Sequence, residues 1–189
     1  MNTALKEIQQ QLRAKGNPDA KDFFSTMVPG SQKIYGVKTP ELNALAKTYK
    51  DHGFGLAEAL WKAGALEEKI IAIKILEKIG RKDPDRLLKL VQQFSGGIDN
   101  WAVCDAVGMQ GLRSIVKTHR EAIFKLANQY KRSPNFWKRR LSLVMVEWYT
   151  REPSAHADIK KLVKALEKDD EYYVKKAVDW IKRNLAKSK

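Results

Sequence analysis

Cysteine occurs once in this chain of 189 residues, at Cys104, and that scarcity removes whole classes of protein at the outset. With no second thiol there is no disulfide framework and no thiolate cluster for zinc, and a reducing cytoplasm fits. Histidine is nearly as scarce. His52, His119 and His156 stand singly, none at metal-ligand spacing from another and none beside a suitable serine or cysteine nucleophile. Glycine never builds a phosphate loop, because Ser95-Gly96-Gly97 lacks both the lysine and the preceding strand. Metal-dependent, nucleotide-dependent and covalent-thiol enzymes are therefore disfavoured, and no cofactor is expected. Long apolar runs are missing as well, and the opening Met1-Asn2-Thr3-Ala4-Leu5-Lys6 has no signal core, so the expectation is a soluble, unexported protein of the cytoplasm that no membrane holds.

Acidic residues are the other shortage. Twenty-two Asp and Glu face thirty-six Lys and Arg, a formal charge of +14 with a pI near 9.8. An excess of that size favours polyanions, of which nucleic acid is the commonest soluble one. Hydrophobic residues still make up 43% of the chain, enough apolar surface to offset ordering entropy, so the protein should fold alone. The length suits one well-buried domain or one unbroken repeat array, and a monomer is expected.

What is present is helical. Apolar residues recur at intervals of three and four, as in Leu5, Ile8 and Leu12 or Leu87, Leu88 and Val91. Thr39-Pro40, Asp83-Pro84 and Ser133-Pro134 read as helix starts, a capping residue followed by a proline whose missing N–H is harmless there. The pattern predicts helices over 3–14, 19–27, 40–50, 54–63, 66–79, 84–94, 99–115, 119–131, 134–150, 155–167 and 170–186. The expected fold class is all-α: a right-handed superhelical solenoid of antiparallel helix pairs with a concave basic face. It is expected to form a single domain over 1–189, with 1–53 as N-terminal capping helices and 54–189 as the repeated pairs.

One helix face is written more than once. Laying Asn100-Trp101-Ala102-Val103-Cys104-Asp105 over Asn135-Phe136-Trp137-Lys138-Arg139-Arg140 and Glu171-Tyr172-Tyr173-Val174-Lys175-Lys176 puts Asp105, Arg140 and Lys176 in register, a period of about 35 residues. Trp101 lies four residues before that shared position and Trp180 four after it, so each shares its helix face. Stacking the repeats would gather two indoles, a carboxylate and two cations on one surface.

Asp105 stands among Val103, Cys104, Ala106 and Val107, where a charge is costly unless it is hydrogen-bonded or faces an opening. A carboxylate bonded to a neighbouring helix start or to an arginine explains it as well as chemistry does, and Arg140 is its candidate partner on both readings. Trp61 and Trp148 read as core residues. Trp137, beside Lys138 and Arg139, fits either core or rim. Cys104 is expected to face the core. Lys175 and Lys176 belong to a basic C-terminal run that includes Lys160, Lys161, Lys164, Lys168, Lys182, Arg183, Lys187 and Lys189, either a solvated face or a phosphate track.

At Trp101-x-x-x-Asp105, Asn135-x-Trp137-x-x-Arg140 and Lys175-Lys176-Ala177-x-x-Trp180 the chain resembles the AlkD-like DNA alkylation repair family of DNA glycosylases. Tyr35-Gly36-Val37-Lys38-Thr39-Pro40-Glu41 is similar to that family's N-terminal signature. The resemblance implies HEAT-like repeats cradling double-stranded DNA and excising purines alkylated at N3 or N7, with no metal or other cofactor. It implies that Trp101, Asp105 and Trp180 serve catalysis. It also implies that Arg140 contacts DNA; Lys176, Trp137, Arg139 and Lys175 join it as candidate DNA-binding residues. Ala102 stands where some relatives have a second Asp. The chain ends nine residues after Trp180, where characterised relatives continue into further helices, so the expectation is either weaker duplex binding or a DNA binder without excision activity.

An N3- or N7-alkylated purine is cationic and already a good leaving group, so an enzyme mainly has to stabilise positive charge developing on the deoxyribose. An ionised carboxylate does this and can orient water, while indole faces attract the same cation. The leading expectation is a monofunctional alkylpurine glycosylase. The alternatives are a non-catalytic repeat protein that binds damaged or branched DNA, and a helical protein-interaction scaffold.

Overall fold

The computed structural model describes residues 3–30 and 32–188; Lys189 of the basic run lies outside them. The described residues form helices and connecting turns, with no strand. No helix among them is long and apolar enough to cross a membrane. The chain divides into two compact units, Met1–Phe94 and Ser95–Lys189.

The first unit contains α1 (Thr3–Lys15), α2 (Pro18–Met27), α3 (Thr39–Tyr49), α4 (Gly53–Ala63), α5 (Leu66–Ile79) and α6 (Pro84–Ser95). Helix α5 is its axis and packs on both α3 and α4. Ile71, Ile73, Ile75 and Leu76 are all buried, so α5 is apolar on more sides than a surface helix would be. The helix starts follow side-chain chemistry. Asn17 Oδ1 accepts from the Ala20 N–H at 2.9 Å with Pro18 following it, and Asp83 Oδ1 accepts from Arg86 N–H at 3.0 Å ahead of Pro84. Trp61 is half-buried rather than sealed in the core, lying flat on Phe94 with ring centroids 4.2 Å apart.

Two acidic residues at the start of α5 are buried, Glu67 and Glu68. Glu67 Oε1 accepts from the backbone N–H groups of Tyr35, Gly36 and Val37 at 3.1, 2.7 and 3.1 Å. Gly36 has φ +82°, which turns three successive amides toward one carboxylate. Glu68 takes the Tyr35 hydroxyl at 3.0 Å and the Gln9 amide at 2.9 Å. Burial and the adjacent Glu68 push the Tyr35 hydroxyl up to about 12. The Tyr35-Gly36-Val37 motif thus has a structural role, since it seats the carboxylate that anchors α5.

The second unit contains α7 (Trp101–Asp105), α8 (Arg120–Tyr130), α9 (Phe136–Val144), α10 (His156–Leu166) and α11 (Tyr172–Lys187). Helix α9 is central: α7 and α11 both pack against it, and so do α8 and α10. The register positions 105, 140 and 176 therefore fall on α7, α9 and α11, two of them on helices that flank the third.

Two expected helices are shorter than their periodicity suggests. The segment predicted over 99–115 is α-helical only to Asp105, then widens into a π-helix over Ala106–Gly111. The π segment packs closely on the end of α9 at Gly108, where a Cβ would stand 2.7 Å from Val144 Cγ1 and 3.0 Å from Met145 N. The segment predicted over 134–150 begins at Phe136, because Asn135 rather than Ser133 is its cap, accepting from Trp137 N–H at 2.8 Å. It ends at Val144 and resumes as a tighter 3₁₀ turn over Glu147–Arg151. Branched and aromatic residues from Val144 to Thr150 form helix poorly, and Tyr149 is drawn inward to donate to the Val116 carbonyl at 2.6 Å.

Candidate functional site

Helix α7 is short because its start and finish are both specified. Asn100 Oδ1 accepts from Val103 N–H at 2.9 Å at one end, and the π-helix takes over directly after Asp105 at the other. A single π turn inside a helix often sits at a functional site. Val103 and Cys104 are buried between these ends, while Trp101 and Asp105 are half-buried on the remaining face. Cys104 faces the core as expected; its Sγ lies 3.7 Å from the Trp137 carbonyl, and burial pushes the thiol well above its ordinary pKa.

Asp105 and Arg140 meet. Arg140 Nε donates to Asp105 Oδ1 at 3.0 Å, and Nη2 donates to both carboxylate oxygens at 2.9 Å. The third nitrogen, Nη1, donates to the Tyr173 carbonyl at 2.6 Å, at the start of α11. One guanidinium thus ties α7, α9 and α11 together, with its fork matched to the carboxylate. The two partners differ in exposure: Arg140 keeps 7% of its side-chain surface and Asp105 keeps 27%. Of the two side chains, the carboxylate is the more open to solvent. Burial raises the Asp105 pKa above the ordinary carboxylate value, and the Arg140 charge and hydrogen bonds offset only part of that rise.

The remaining candidates separate by environment. Trp137 lies in the core at 7% exposure, its ring packed between Phe136 at 4.7 Å and Tyr173 at 4.9 Å. Arg139 forks onto Asp169 with Nε–Oδ2 at 2.6 Å and donates through Nη1 to the Ser133 carbonyl at 2.9 Å. Lys175 and Lys176 are exposed, and the Lys176 ammonium sits 5.4 Å from the Tyr172 ring centroid. Trp180 is half-buried on α11, about 10 Å along the helix from Tyr173. Trp148 is half-buried and gives its indole N–H to the Met109 carbonyl at 2.9 Å, closing the π-helix rather than filling the core.

Three participants carry no motif. Tyr173 acts through its backbone carbonyl, which no side-chain pattern reveals. Tyr172, 61% exposed, stands against Tyr173 with ring centroids at 5.1 Å and was hidden as one more aromatic in a helical pattern. Asp169 lies just ahead of α11, and its only sequence signal is a carboxylate about one repeat after a basic residue.

Asp169 also permits a stability prediction. Burial alone would raise its pKa, but hydrogen bonds from Arg139 and the Glu171 N–H, with the charges of Arg139 and Lys175, outweigh that and hold it below the ordinary value. The folded pKa is thus lower than the unfolded one, so its contribution is present above about pH 4 and is lost as pH falls through the folded value. Asp169→Asn is expected to lower unfolding free energy in urea by on the order of 3 kcal/mol at pH 7, with the gap to wild type closing in acid.

Comparison with known proteins bears on what this site serves. The family model described as DNA alkylation repair enzyme matches residues 8–189. The chain belongs to that family. Its fold is similar to that of a protein described as a predicted DNA alkylation repair enzyme from Enterococcus faecalis, with a TM-score of 0.79 and 19% identity, covering 92% of this chain and 84% of the other. No functionally curated protein matches the sequence. In this member of the DNA alkylation repair enzyme family, Asp105 is a half-buried carboxylate of the second unit that a buried arginine fixes in place.

Proposed function

We propose that this protein is a monofunctional glycosylase that hydrolyses the N-glycosidic bond of N3- or N7-alkylated purines in duplex DNA, with Asp105 as its reacting carboxylate. The observation that carries the reading is the asymmetry of the Asp105–Arg140 pair: a buried guanidinium fixes the carboxylate, and the carboxylate keeps its outer surface open. Such an anion is preorganised, so it faces charge developing on the deoxyribose without reorienting at the moment of reaction. Its partial burial strengthens that attraction relative to water. Trp101, one turn before Asp105 on α7, and Trp180, on α11, are assigned the flanking aromatic faces that an oxocarbenium ion favours.

In this proposal Arg140 is a positioning residue. All three of its guanidinium nitrogens already donate within the protein, to Asp105 and to Tyr173, which argues against a phosphate as its principal partner. Arg139 is likewise engaged by Asp169. Of the candidate DNA-binding residues, Lys175 and Lys176 are the exposed ones left to meet the DNA backbone, and Trp137 connects to Lys176 only through Tyr173 and Tyr172.

The test is release of free methylated purine from a methylated duplex, followed by chromatography, with strand integrity measured in parallel. The expected outcome is base release well above the buffer rate and an unbroken strand carrying an abasic site. Duplex binding with release no faster than in buffer would leave a DNA binder without chemistry, the reading that the self-contained Asp105–Arg140 pair favours next.

A further inference from the structure

The second unit holds a cavity of about 330 Å³ that the proposed chemistry does not use, lined by Thr150, Arg151, Asn184, Lys187 and Ser188. Behind the lining lies Glu147, only 2% exposed, which accepts from Arg151 Nη2 at 3.1 Å and Nη1 at 3.3 Å and from Asn184 Nδ2 at 2.9 Å. The hydroxyls are occupied as donors: Thr150 Oγ1 donates to the Glu147 carbonyl at 2.8 Å and Ser188 Oγ to the Asn184 carbonyl at 2.9 Å. Arg151 also covers the Trp148 ring, 5.4 Å from its centroid, so its head is held from two sides.

The net charge of the lining favours an anion. Arg151 neutralises Glu147, and Lys187, exposed, supplies a further positive charge that no carboxylate of the described residues matches. The groups left to face an occupant are the Lys187 ammonium, the Arg151 Nε–H and outer N–H groups and the second Asn184 amide hydrogen as donors, and the Asn184 Oδ1 and the lone pairs of the Thr150 and Ser188 hydroxyls as acceptors. Several donors with net positive charge suit a compact anion with several oxygens. The placement is informative too. Asn184 is one turn beyond Trp180 on α11 and Lys187 seven residues beyond it, so the cavity continues the helix edge that carries Trp180, about 6 Å further along.

We infer that this cavity is a phosphate site, occupied by a backbone phosphodiester of the DNA strand that passes Trp180. The inference rests on the reading of the chain as a duplex-binding repair enzyme, but it is tested by binding and not by base excision. Affinity for an undamaged duplex is measured by fluorescence anisotropy over a range of NaCl concentrations. Lys187→Gln is expected to make the slope of log K against log [NaCl] shallower by about one and to weaken binding roughly tenfold near 0.1 M salt, with the thermal midpoint unchanged. Arg151→Lys, which keeps the charge facing Glu147, is expected to weaken binding while keeping the wild-type slope. A second arm titrates inorganic phosphate while following the Asn184 side-chain amide by NMR. A shallower slope in Lys187→Gln supports the inference. An unchanged slope, with phosphate still shifting the Asn184 amide in wild type and not in Lys187→Glu, overturns the DNA strand as occupant and leaves a site for free phosphate. An unchanged slope with no phosphate response overturns the site altogether. Absence of duplex binding by the wild type would count against the repair-enzyme reading, and the phosphate titration would then decide this one.

Discussion

Asp105→Asn is expected to lower the single-turnover rate of methylpurine release by about 10²- to 10³-fold, the usual effect of deleting one preorganised electrostatic group from an active site. The substitution removes the charge and one of two acceptors: an asparagine oxygen still accepts from Arg140 Nε and Nη2, but an amide nitrogen replaces the second oxygen that Nη2 reaches. Two effects on stability oppose one another: the buried Arg140 loses an acceptor, and a desolvated charge is removed. Burial holds the Asp105 pKa above its unfolded value, so the folded state prefers the protonated carboxyl. Its contribution is fully present below the unfolded pKa and is lost as pH rises through the folded one. At neutral pH the ionised side chain therefore gives up part of the stability that a neutral group keeps. An unfolding midpoint close to that of wild type, together with the collapse in rate, would separate chemistry from folding. Arg140→Ala should lose both, because it frees the carboxylate and unlinks α7 from α11.

Gly36→Ala is expected to produce the largest loss of stability among single methyl additions, on the order of 4 kcal/mol. Two effects combine. A φ of +82° is unfavourable for any residue with a Cβ, and the added carbon would meet the Asn17 carbonyl oxygen at 2.3 Å and Lys21 N at 2.7 Å. Both of those atoms are backbone, so no side chain can swing aside. Displacing the loop would also withdraw the amides of Tyr35, Gly36 and Val37 from Glu67, leaving a buried carboxylate without its donors. Gly64→Ala is the control. It has φ +92° at the end of α4, but a Cβ there has no neighbour closer than Lys62 O at 3.8 Å, so only about 1–2 kcal/mol of backbone strain is expected. Urea unfolding of the two variants beside wild type measures the difference. Equal losses would show that the contact with Asn17 and the seating of Glu67 carry no weight.

The helices were legible because their determinants are local. Three- and four-residue spacing and the Asp83-Pro84 start give α5 and α6 nearly to the residue. Where tertiary contacts decide, spacing is silent. Nothing in Ala106-Val107-Gly108 announces a π turn, nor the close approach of α9 to Gly108. The pairing of Asp105 with Arg140 was readable from the repeat, since equivalent positions on neighbouring helices tend to meet. Its internal anchor, the Tyr173 carbonyl, was not, because any residue supplies a carbonyl. The same limit applies to Trp137 and Arg139: beside a cluster of cations their sequence fits a rim. Packing against Tyr173 and pairing with Asp169 turn both inward. Exposure in a half-buried helix depends on what lies opposite, which one strand of spacing does not encode.

In the proposed mechanism an ionised Asp105, fixed by Arg140, drives loss of the alkylated base. The pH dependence of single-turnover base release from a methylated duplex, corrected for release in buffer, tests it most directly. The rate is expected to fall on the acid side through a single ionisation with its midpoint above the ordinary carboxylate value of about 4, and the residual rate of Asp105→Asn to show no such limb. A wild-type rate that stays level down to about pH 4, or an acid limb that persists unchanged in Asp105→Asn, would contradict it.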